Sequence, residues 1–480
     1  MASTFSGLEL SRRALSSQQI ALNVTGHNIS NSNTQGYTRQ IANLIATTPD
    51  TLPAMGRNLS LGSGVTVDTI TRARDAFVDR QFRTETSKQQ YWVAKQDSLT
   101  KVEDMINEPS DNSLSNDMNQ FWVAWSDLSK GPENAGARSV VRERALTLTD
   151  SLHAISTQIS DRQNDLNSQV NVQISQINVY GEQIKDLNEQ IKQAEVNGDN
   201  PNDLRDSRDN LVDELSKIVN VRVIETKDPN FTDRQVNNFR VDIGNEITPQ
   251  TLVDGGEVNK LEGVTTQSGI GDNDITTVQW VGGSTLDLGQ NMGTLQANIE
   301  TRDTYLVDLQ AKYDKLAAGI ITAVNELHGT EFFDASKLTA SNIELATSIK
   351  DDINNIVTGD GAAGDGSIAT AISSLSTGWS ALTADSQAAN KADYGTSLGD
   401  YYGASVAQLG VDVQQANRMK AGEDVLLTNV TNQRESLSGV SLDEEMTNLI
   451  KFQKSYSAAA RMVTMMDDML STLMNMGVTR

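Results

Sequence analysis

The chain has 480 residues, a formal net charge of −24 and no cysteine. This negative charge repels phosphate backbones and anionic bilayers, so it disfavours nucleic acid and membrane surfaces as partners. The sequence also lacks a run of 18 apolar residues, which excludes a membrane-spanning helix. The absence of cysteine leaves two interpretations open: a cytosolic protein, or one exported to an oxidising exterior where stray thiols would cross-link.

Residues 1–30 carry an apolar residue at every seventh position, which predicts a helix with one narrow apolar stripe. The stripe consists of Leu8, Leu15, Leu22 and Ile29. Turn-forming residues at 28–37 predict the end of this helix. The segment lacks the continuous apolar stretch of an ordinary cleavable signal peptide, so we expect no such peptide here.

Residues 37–72 are predicted to be extended or irregular, and three helical tracts follow them. The tracts span about residues 74–107, 137–196 and 203–219. Asp203 is placed to cap the third tract. The second tract would be about 90 Å long, which exceeds the needs of a compact domain and indicates a rod of antiparallel helices.

The apolar period changes to two between residues 220 and 293, which predicts a small β-rich region. Helix resumes at 295–327, where the apolar stripe is typical of an internal helix bundle. Residues 329–380 contain a Gly/Asp-rich loop and are expected to return to the β-rich region. Residues 388–437 again fit a helix.

The last helix is predicted to begin at a capping box formed by Ser441 and Glu444. Apolar residues then recur at alternating intervals of three and four. They are Leu449, Phe452, Tyr456, Ala459, Val463, Met466, Leu470 and Leu473. This spacing predicts a second narrow stripe, which must pack against another helix.

Neither terminal stripe is expected to hold its own helix in place. Eight stripe positions at ~2 kcal/mol each contribute roughly 16 kcal/mol of burial, whereas ordering about 30 residues costs roughly 1–2 kcal/mol each. Pairing the two terminal helices would still leave apolar flanks exposed. We therefore expect further copies of the chain to complete the packing, with both ends ordering on assembly.

The segments together predict a mainly α protein with a smaller β domain, elongated and built as a nested multidomain chain. The expected inner domain is a pair of terminal coiled-coil helices, 1–36 with 440–480. The other two are an antiparallel helical rod of residues 37–219, 294–328 and 381–439, and an outer β-rich domain of residues 220–293 and 329–380. Both termini would lie at one end.

No residue pattern points to catalysis. The histidines His27, His153 and His328 lie far apart, and none has a second ligand at metal spacing. Gly/Asp-rich stretches at 271–274 and 359–366 lack the EF-hand spacing with its distal Glu, so loop tips are the simpler interpretation than Ca²⁺ sites. We expect no catalytic residues, no cofactor and no metal.

Both ends of the chain resemble the bacterial flagellar axial proteins. Residues 21–40 are similar to their N-terminal signature, a helix followed by N-x-x-T-x-G-Y-x-R. Residues 444–461 look like the matching C-terminal signature, E-x-x-N-L-x-x-F-Q-x-x-Y-x-A-x-A-R. The resemblance implies an assembly interface made of both apolar stripes and the N-terminal signature residues Asn31, Gly36, Tyr37 and Arg39.

Two signature residues have a physical interpretation. Gly36 is expected to permit the backbone turn between the inner helix and the rest of the chain. Arg39 either pairs with an acidic neighbour or is an ordinary surface arginine.

Interior stretches narrow the resemblance to the hook-associated protein 1 family. They are residues 121–138, 203–211, 293–303 and 325–333. The chain departs from the family in its short loop after His328, and it is too short for the extra outer domain of larger members.

The family resemblance implies a structural subunit of the flagellum that is not an enzyme. Its terminal helices would form an inner tube, the helical rod would surround that tube, and the β domain would face outwards. The implied partners are further copies in a homo-oligomeric ring, the hook protein, hook-associated protein 3 as second junction protein, and an export chaperone on the C-terminal helix. The implied location is extracellular, reached by type III export.

Three alternatives remain. A hook-associated protein 3 or flagellin-like filament subunit shares the terminal signatures, although the stretches at 121–138 and 325–333 speak against it. A cytoplasmic coiled-coil adaptor would have stable terminal helices in the free chain. A surface hydrolase would need a metal or nucleophile site, which the sequence does not offer.

Overall fold

The computed structural model describes residues 6–54, 57–231, 236–362 and 364–478, without the side chains of 52–54, 57–59, 266–268, 473 and 475–478. The chain is mainly helical with smaller strand regions, as predicted. Its α-helices are α1 (Ser6–Ser30), α2 (Ala76–Ile106), α3 (Leu114–Lys130), α4 (Ala135–Val196), α5 (Asn202–Ile218), α6 (Gly293–Glu300), α7 (Leu306–His328), α8 (Thr347–Asp351), α9 (Ser367–Ser374), α10 (Ala384–Tyr394), α11 (Leu398–Ser438) and α12 (Leu442–Val478).

The strands form four small antiparallel sheets in the described part of the chain. They are β1 (Gln40–Ala46), β2 (Asp50–Ala54), β3 (Arg57–Leu61), β4 (Val65–Arg72), β5 (Val221–Lys227), β6 (Asn237–Ile243), β7 (Gln250–Asp254), β8 (Glu257–Val258), β9 (Leu261–Ser268) and β10 (Asp274–Trp280). Strand β1 pairs with β4, β2 with β3 and β9 with β10, while β5 to β8 form a four-stranded meander. The segment 37–72, predicted to be extended or irregular, thus contains two separate two-stranded sheets.

The chain divides into two compact units. Unit 1 comprises Met1–Thr86, Asn178–Lys260 and Val425–Arg480, and unit 2 comprises Ser87–Ile177 and Leu261–Asp424. No helix in the described residues is long and apolar enough to cross a membrane. The three-domain division predicted above remains a proposal.

In unit 1, the meander β5–β8 packs against α4. The alternating residues Phe239, Val241 and Ile243 of β6 are buried, as the period of two predicts. Gly181 of α4 brings the helix close to the sheet, because a Cβ on it would lie 3.3 Å from Val258 Cγ1. The side chains of the sheet therefore pack directly on the helix backbone at this point.

Unit 2 has an aromatic core between α3 and the end of α7. Phe121, Trp125, Phe332 and Phe333 are fully buried, and the ring centroids of Trp125 and Phe332 lie 5.2 Å apart. Asn325 fixes this geometry, since its Oδ1 accepts hydrogen bonds from the backbone N–H groups of Phe332 and Phe333, both at 2.9 Å. This aromatic core contains residues from both interior stretches, 121–138 and 325–333, on which the family resemblance depends.

The hairpin β9–β10 in unit 2 is held to α4 by side-chain amides. Asn167 Oδ1 accepts from Thr276 N at 2.9 Å, and Asn167 Nδ2 donates to Asp274 O at 2.8 Å. Gln163 Oε1 likewise accepts from Ile270 N at 2.7 Å. The segment 220–293 therefore contributes two separate sheets, one in each unit, rather than one β region.

Residues 329–380 were expected to be β-rich, and the structure corrects this. They contain the short helices α8 and α9, and in the described residues the one strand-like pairing is the isolated bridge between Phe333 and Leu345. The reason is burial: Ile343, Ile349 and other apolar residues enter the helical core of unit 2 individually, without an alternating pattern.

Two helix boundaries also differ from the sequence prediction. Asp203 lies in the first turn of α5, where its Oδ1 accepts from Gln40 Nε2 at 2.7 Å, and Pro201 occupies the cap position. The helix predicted at 388–437 is interrupted at Gly395, which has φ +75° and separates α10 from α11. Such a positive φ ends a helix readily at glycine.

Between α6 and α7 the helix makes a π-helical turn at Thr301–Tyr305. Two consecutive residues, Thr301 and Arg302, are buried there. The Arg302 guanidinium is satisfied by Asn167 Oδ1 at 2.8 Å and by a bidentate contact with Asp303. The wide turn thus directs a charged side chain inwards and supplies its partners.

His328, at the end of α7, is held in its neutral form. Its Nε2 accepts a hydrogen bond from Val357 N at 2.8 Å, which leaves Nδ1 to donate to Thr330 O at 3.1 Å. Burial lowers the pKa of His328 below its usual 6.5, while the Thr330 carbonyl opposes that change.

The first prediction concerns this histidine. Below pH 6.5 the unfolded chain takes up a proton that folded His328 resists, so the free energy of unfolding of unit 2 should fall as pH is lowered from 7.5 to 5.5. All five tryptophans lie in unit 2, so their fluorescence during urea unfolding reports this unit. The variant His328→Gln should show a shallower pH dependence, and an unchanged slope would contradict the assignment.

Candidate assembly surface

Helices α1 and α12 pack side by side in unit 1. The predicted C-terminal stripe is the more buried face of α12: Ala459 is buried, and Tyr456 is the most exposed member at 38%. The half-buried members are Leu449, Phe452, Val463, Met466 and Leu470. Met466 contacts α1 directly, since its Cε lies 2.6 Å from where a Cβ on Gly7 would sit. The side chain of Leu473 is outside the described part of the chain.

The N-terminal stripe is less buried than its pattern suggests. Leu8, Leu15, Leu22 and Ile29 are all half-buried. The fully buried positions of α1 are instead Ser11, Ser17, Ala21, Val24, Thr25 and Asn28. Small and polar side chains allow other backbones to approach α1 closely, as when Ser17 Oγ donates to Val65 O at 3.1 Å. The leucine stripe therefore keeps part of its apolar surface for other contacts.

A buried asparagine joins three segments at the end of α1. Asn28 Oδ1 accepts from Gln40 N at 2.9 Å and from the Tyr37 hydroxyl at 2.7 Å. Its Nδ2 donates to Gln40 O at 2.9 Å and to Glu445 Oε2 at 3.2 Å. One side chain thus pairs with both backbone groups of Gln40, the first residue of β1, and also reaches the first turn of α12. The sequence analysis missed Asn28, although it lies within the quoted signature.

Arg39 pairs with acidic residues, one of the two interpretations left open by the sequence. Its Nε donates to Glu445 Oε1 and its guanidinium also bonds Glu444 Oε2, both at 2.8 Å. Glu445 is 2% exposed, whereas Glu444 is 61% exposed. We call Asn28, Tyr37, Arg39 and Glu445 the polar junction.

Tyr37 remains a hydrogen-bond donor within the polar junction. Burial raises the pKa of Tyr37, and the carboxylates of Asp203, Asp206 and Glu445 raise it further. The phenol therefore stays protonated at any physiological pH.

Gly36 and Asn31 shape the turn that leaves α1. Gly36 has φ +78°, and a Cβ there would lie 3.2 Å from Asn210 Oδ1, so both the backbone and the space favour glycine. Asn31 Nδ2 donates to His27 O at 3.1 Å and its Oδ1 accepts from Thr34 Oγ1 at 3.2 Å. These bonds close the end of the helix.

Beside the polar junction lies an arginine–aspartate cluster, which the sequence analysis did not identify as a unit. It consists of Arg72, Arg74, Arg83, Arg434, Asp79, Asp206, Asp209 and Asp213. Asp209 is central, with Arg72 at 2.7 Å, Arg74 at 3.0 Å and Arg83 at 3.4 Å. Burial alone would raise the pKa of Asp209, but these arginines hold it well below its usual value.

The arginine–aspartate cluster also fixes the approach to α12. Arg434, near the end of α11, bonds Asp213 Oδ2 at 2.6 Å and lies 3.1 Å from Asp79 Oδ1. Thr38 N donates to Asp206 Oδ2 at 2.9 Å, and Arg39 N donates to Ser438 O at 2.9 Å. The chain segments that enter and leave the terminal helices are thereby held next to each other.

Helix α12 begins as predicted, with Ser441 Oγ accepting from Glu444 N at 3.5 Å. It also exposes other large apolar side chains, which are spread around the helix. They are Leu442, Met446, Ile450, Met462, Met465, Met469 and Met474, exposed by 39% to 73%. Apolar exposure of this kind on one helix marks an interaction surface rather than ordinary solvent contact.

The other sequence candidates do not converge on a reactive site. In the loop at 359–366, Asp365 accepts hydrogen bonds from Asp360 N at 2.8 Å and Ser367 N at 2.9 Å, so its carboxylate holds the loop itself. Among the residues that the structure describes, no group of three or more His, Asp or Glu could hold a metal ion.

Comparison with family models gives one interior and two terminal matches. The model described as "Flagellar hook-associated protein FlgK helical domain" matches residues 99–339. "Flagella basal body rod protein" matches residues 8–38, and "Flagellar basal body rod FlgEFG protein C-terminal" matches residues 432–476. The terminal matches include Asn28, Tyr37 and Glu445 of the polar junction, and the first ends one residue before Arg39.

Individual relatives agree with the family models. The chain is 34% identical to the flagellar hook-associated protein 1 of Bacillus subtilis, over 100% of this chain and 99% of that protein. It is 25% identical to the same-named protein of Escherichia coli, over 96% and 98% of the two chains. The solved flagellar hook junction protein FlgK from Burkholderia pseudomallei shares the fold, with a TM-score of 0.60 at 14% identity over 75% of this chain and 100% of that one.

The second prediction tests the polar junction. Glu445→Gln leaves the partly buried Arg39 without its buried counter-charge, so the docking of α12 should weaken by roughly 3 kcal/mol. Hydrogen exchange of the backbone amides at 442–450 should speed up accordingly, while tryptophan fluorescence of unit 2 stays unchanged. The matched control is Glu444→Gln, which removes an exposed ion pair and should cost less than about 1 kcal/mol. Equal effects of the two variants would contradict this role for Glu445.

Proposed function

Because the chain belongs to the flagellar hook-associated protein 1 family, we propose that it forms the junction ring between hook and filament by self-assembly through its terminal helices. Membership makes the protein a structural component of the bacterial flagellum. The subunit's task is then mechanical: it joins two different polymers, and its surfaces supply contacts rather than chemistry.

The observation that carries this proposal is the partly covered pair of terminal helices. Helix α12 packs one stripe against α1 and leaves other large apolar side chains exposed, while the leucine stripe of α1 is only half-buried. A pair of helices with apolar surface remaining on both members favours packing with further pairs of the same kind. If the same rotation and translation relates each subunit to the next, the contacts between subunits are heterologous, and contacts of this kind build rings and tubes.

The polar junction supports the same proposal. It ties the start of α12 to the end of α1 and to β1, so that both terminal helices leave the body of unit 1 in a fixed direction. A subunit that continues a channel needs its inner helices oriented before neighbours add. The arginine–aspartate cluster supports this orientation indirectly. Arg434 bonds Asp213, and Thr38 N donates to Asp206, so the segments next to both terminal helices are held by the cluster.

The proposed partners are the hook protein on one side, hook-associated protein 3 on the other, and further copies of the chain in the ring. Before assembly, the exposed face of α12 is the proposed docking site of an export chaperone. The proposed route is type III export to the cell exterior without cleavage of a signal peptide. An amphipathic helix with one unpaired apolar face is the kind of ligand that a groove-bearing chaperone recognises.

The third prediction uses deletion of the gene in the source bacterium. Cells should form hooks without filaments and release flagellin into the medium, as seen by electron microscopy and by analysis of the medium. Bare hooks without released flagellin would point to the filament subunit itself, and missing hooks to a rod or hook component. Intact filaments would overturn the proposed function.

The fourth prediction uses complementation of that deletion. Leu449→Asp with Leu470→Asp places two charges on the half-buried stripe of α12, so filament formation should not be restored. The control, Val172→Asp with Val179→Asp, changes two exposed valines of α4 and should restore filaments. Tryptophan fluorescence of the purified variants should give an unchanged melting temperature for unit 2. Loss of unit 2 stability in the leucine variant would refute the independence of the terminal helices.

A further inference from the structure

Helix α12 holds an unusual share of the chain's sulfur. The chain has 13 methionines and no cysteine, so thioethers are its only sulfur groups. Seven of these methionines fall within the 37 residues of α12. Leucine would provide similar apolar area, but a thioether also has a lone pair that oxidants attack.

Three of these methionines form a stripe on the face of α12 that α1 leaves uncovered. Met462, Met465 and Met469 follow one another at intervals of three and four, which places them on one side of the helix. They are exposed by 39%, 56% and 49%. By contrast, Met118 in the core of unit 2 is only 3% exposed. We call Met462, Met465 and Met469 the methionine stripe.

The methionine stripe borders the side chain that already packs on α1. Met466 lies between its members in sequence and fills the space above Gly7. The thioethers of the methionine stripe are therefore accessible to solvent in the free chain, whereas the neighbouring Met466 already packs against α1.

We propose that the methionine stripe is an oxidation site, at which peroxides block assembly of the free chain. This inference rests on the proposed function, because it takes the exposed face of α12 as an assembly surface. In the reaction, a sulfur lone pair attacks one oxygen of hydrogen peroxide, the O–O bond breaks, and an S–O bond forms. Sulfur loses two electrons, and the departing oxygen leaves as water after proton transfer.

The consequence for assembly follows from polarity. A sulfoxide places a strong hydrogen-bond acceptor on a surface that must become buried among apolar neighbours. Burial without a partner should weaken binding by about tenfold or more for each sulfoxide. Three adjacent sulfoxides should abolish incorporation, whereas subunits already in place should be protected because water and peroxide no longer reach the stripe.

The experiment measures binding of the purified full-length chain to hooks isolated from cells that lack the gene. The chain is treated with hydrogen peroxide, sulfoxide at each methionine is quantified by peptide mass spectrometry, and binding is followed by co-sedimentation. Oxidation of the stripe should reduce binding at least tenfold, and methionine sulfoxide reductase should restore it.

Variants separate this stripe from other methionines. Peroxide should not lower the binding of the triple variant Met462→Leu, Met465→Leu and Met469→Leu below that of the same variant left untreated, because leucine is inert to the oxidant. Met419 on α11 is 41% exposed, so Met419→Leu is the matched control and should remain sensitive.

Two outcomes would overturn the inference: undiminished binding of the wild type with all three residues oxidised, or equal loss of binding in the peroxide-treated triple variant. Failure of the untreated wild type to bind hooks is a different result. It would refute the proposed function, and the inference with it.

Discussion

A single buried carboxylate sets the arrangement of both chain ends. Glu445 is 2% exposed, and an ion of this kind without partners costs several kcal/mol to desolvate. Its two oxygens are met by Arg39 and Asn28, which come from the other end of the chain. The first turn of α12 is therefore stable only where the end of α1 and the start of β1 are already in place.

The arginine–aspartate cluster extends the same constraint through unit 1. Its members come from β4, α2, α5, α11 and the loop before α2, segments that are far apart in the sequence. Because Asp209 is buried with several arginines, removing any one partner would leave an uncompensated charge. The cluster therefore links three separate stretches of chain within unit 1, beside the apolar residues of α5 and the meander β5–β8 that are buried there.

Much of the fold was predictable because it depends on periodic patterns. Helix α4 was placed within two residues of its observed bounds, and the β5–β6 alternation and the cap of α12 at Ser441 were confirmed. The family was also predicted: the two terminal signatures indicate a flagellar axial protein, and the interior stretches narrow this to the hook-associated protein 1 family. The secondary structure of segment 329–380 was not predicted, because its apolar residues enter the core one at a time and show no periodic pattern.

The candidate surface was predictable only in part, for a related reason. The stripe of α12 follows from spacing, but the buried face of α1 consists of serine, threonine, alanine and asparagine, which no hydrophobic pattern reveals. The partners of Arg39 were similarly hidden, because they lie about 400 residues away in sequence and only the fold brings them together. Asn28 and Glu445 have no signal of their own beyond their place in the terminal signatures.

The π-helical turn between α6 and α7 has a consequence for how chains of this fold can differ in length. Such a turn holds one more residue than a regular α-helical turn, and each residue corresponds to about 100° of rotation. Removing one residue from Thr301–Tyr305 would leave a regular α-helix whose two halves still present their apolar faces to the same core. The turn is thus a point where the chain can lose a single residue without rotating α7 out of its packing.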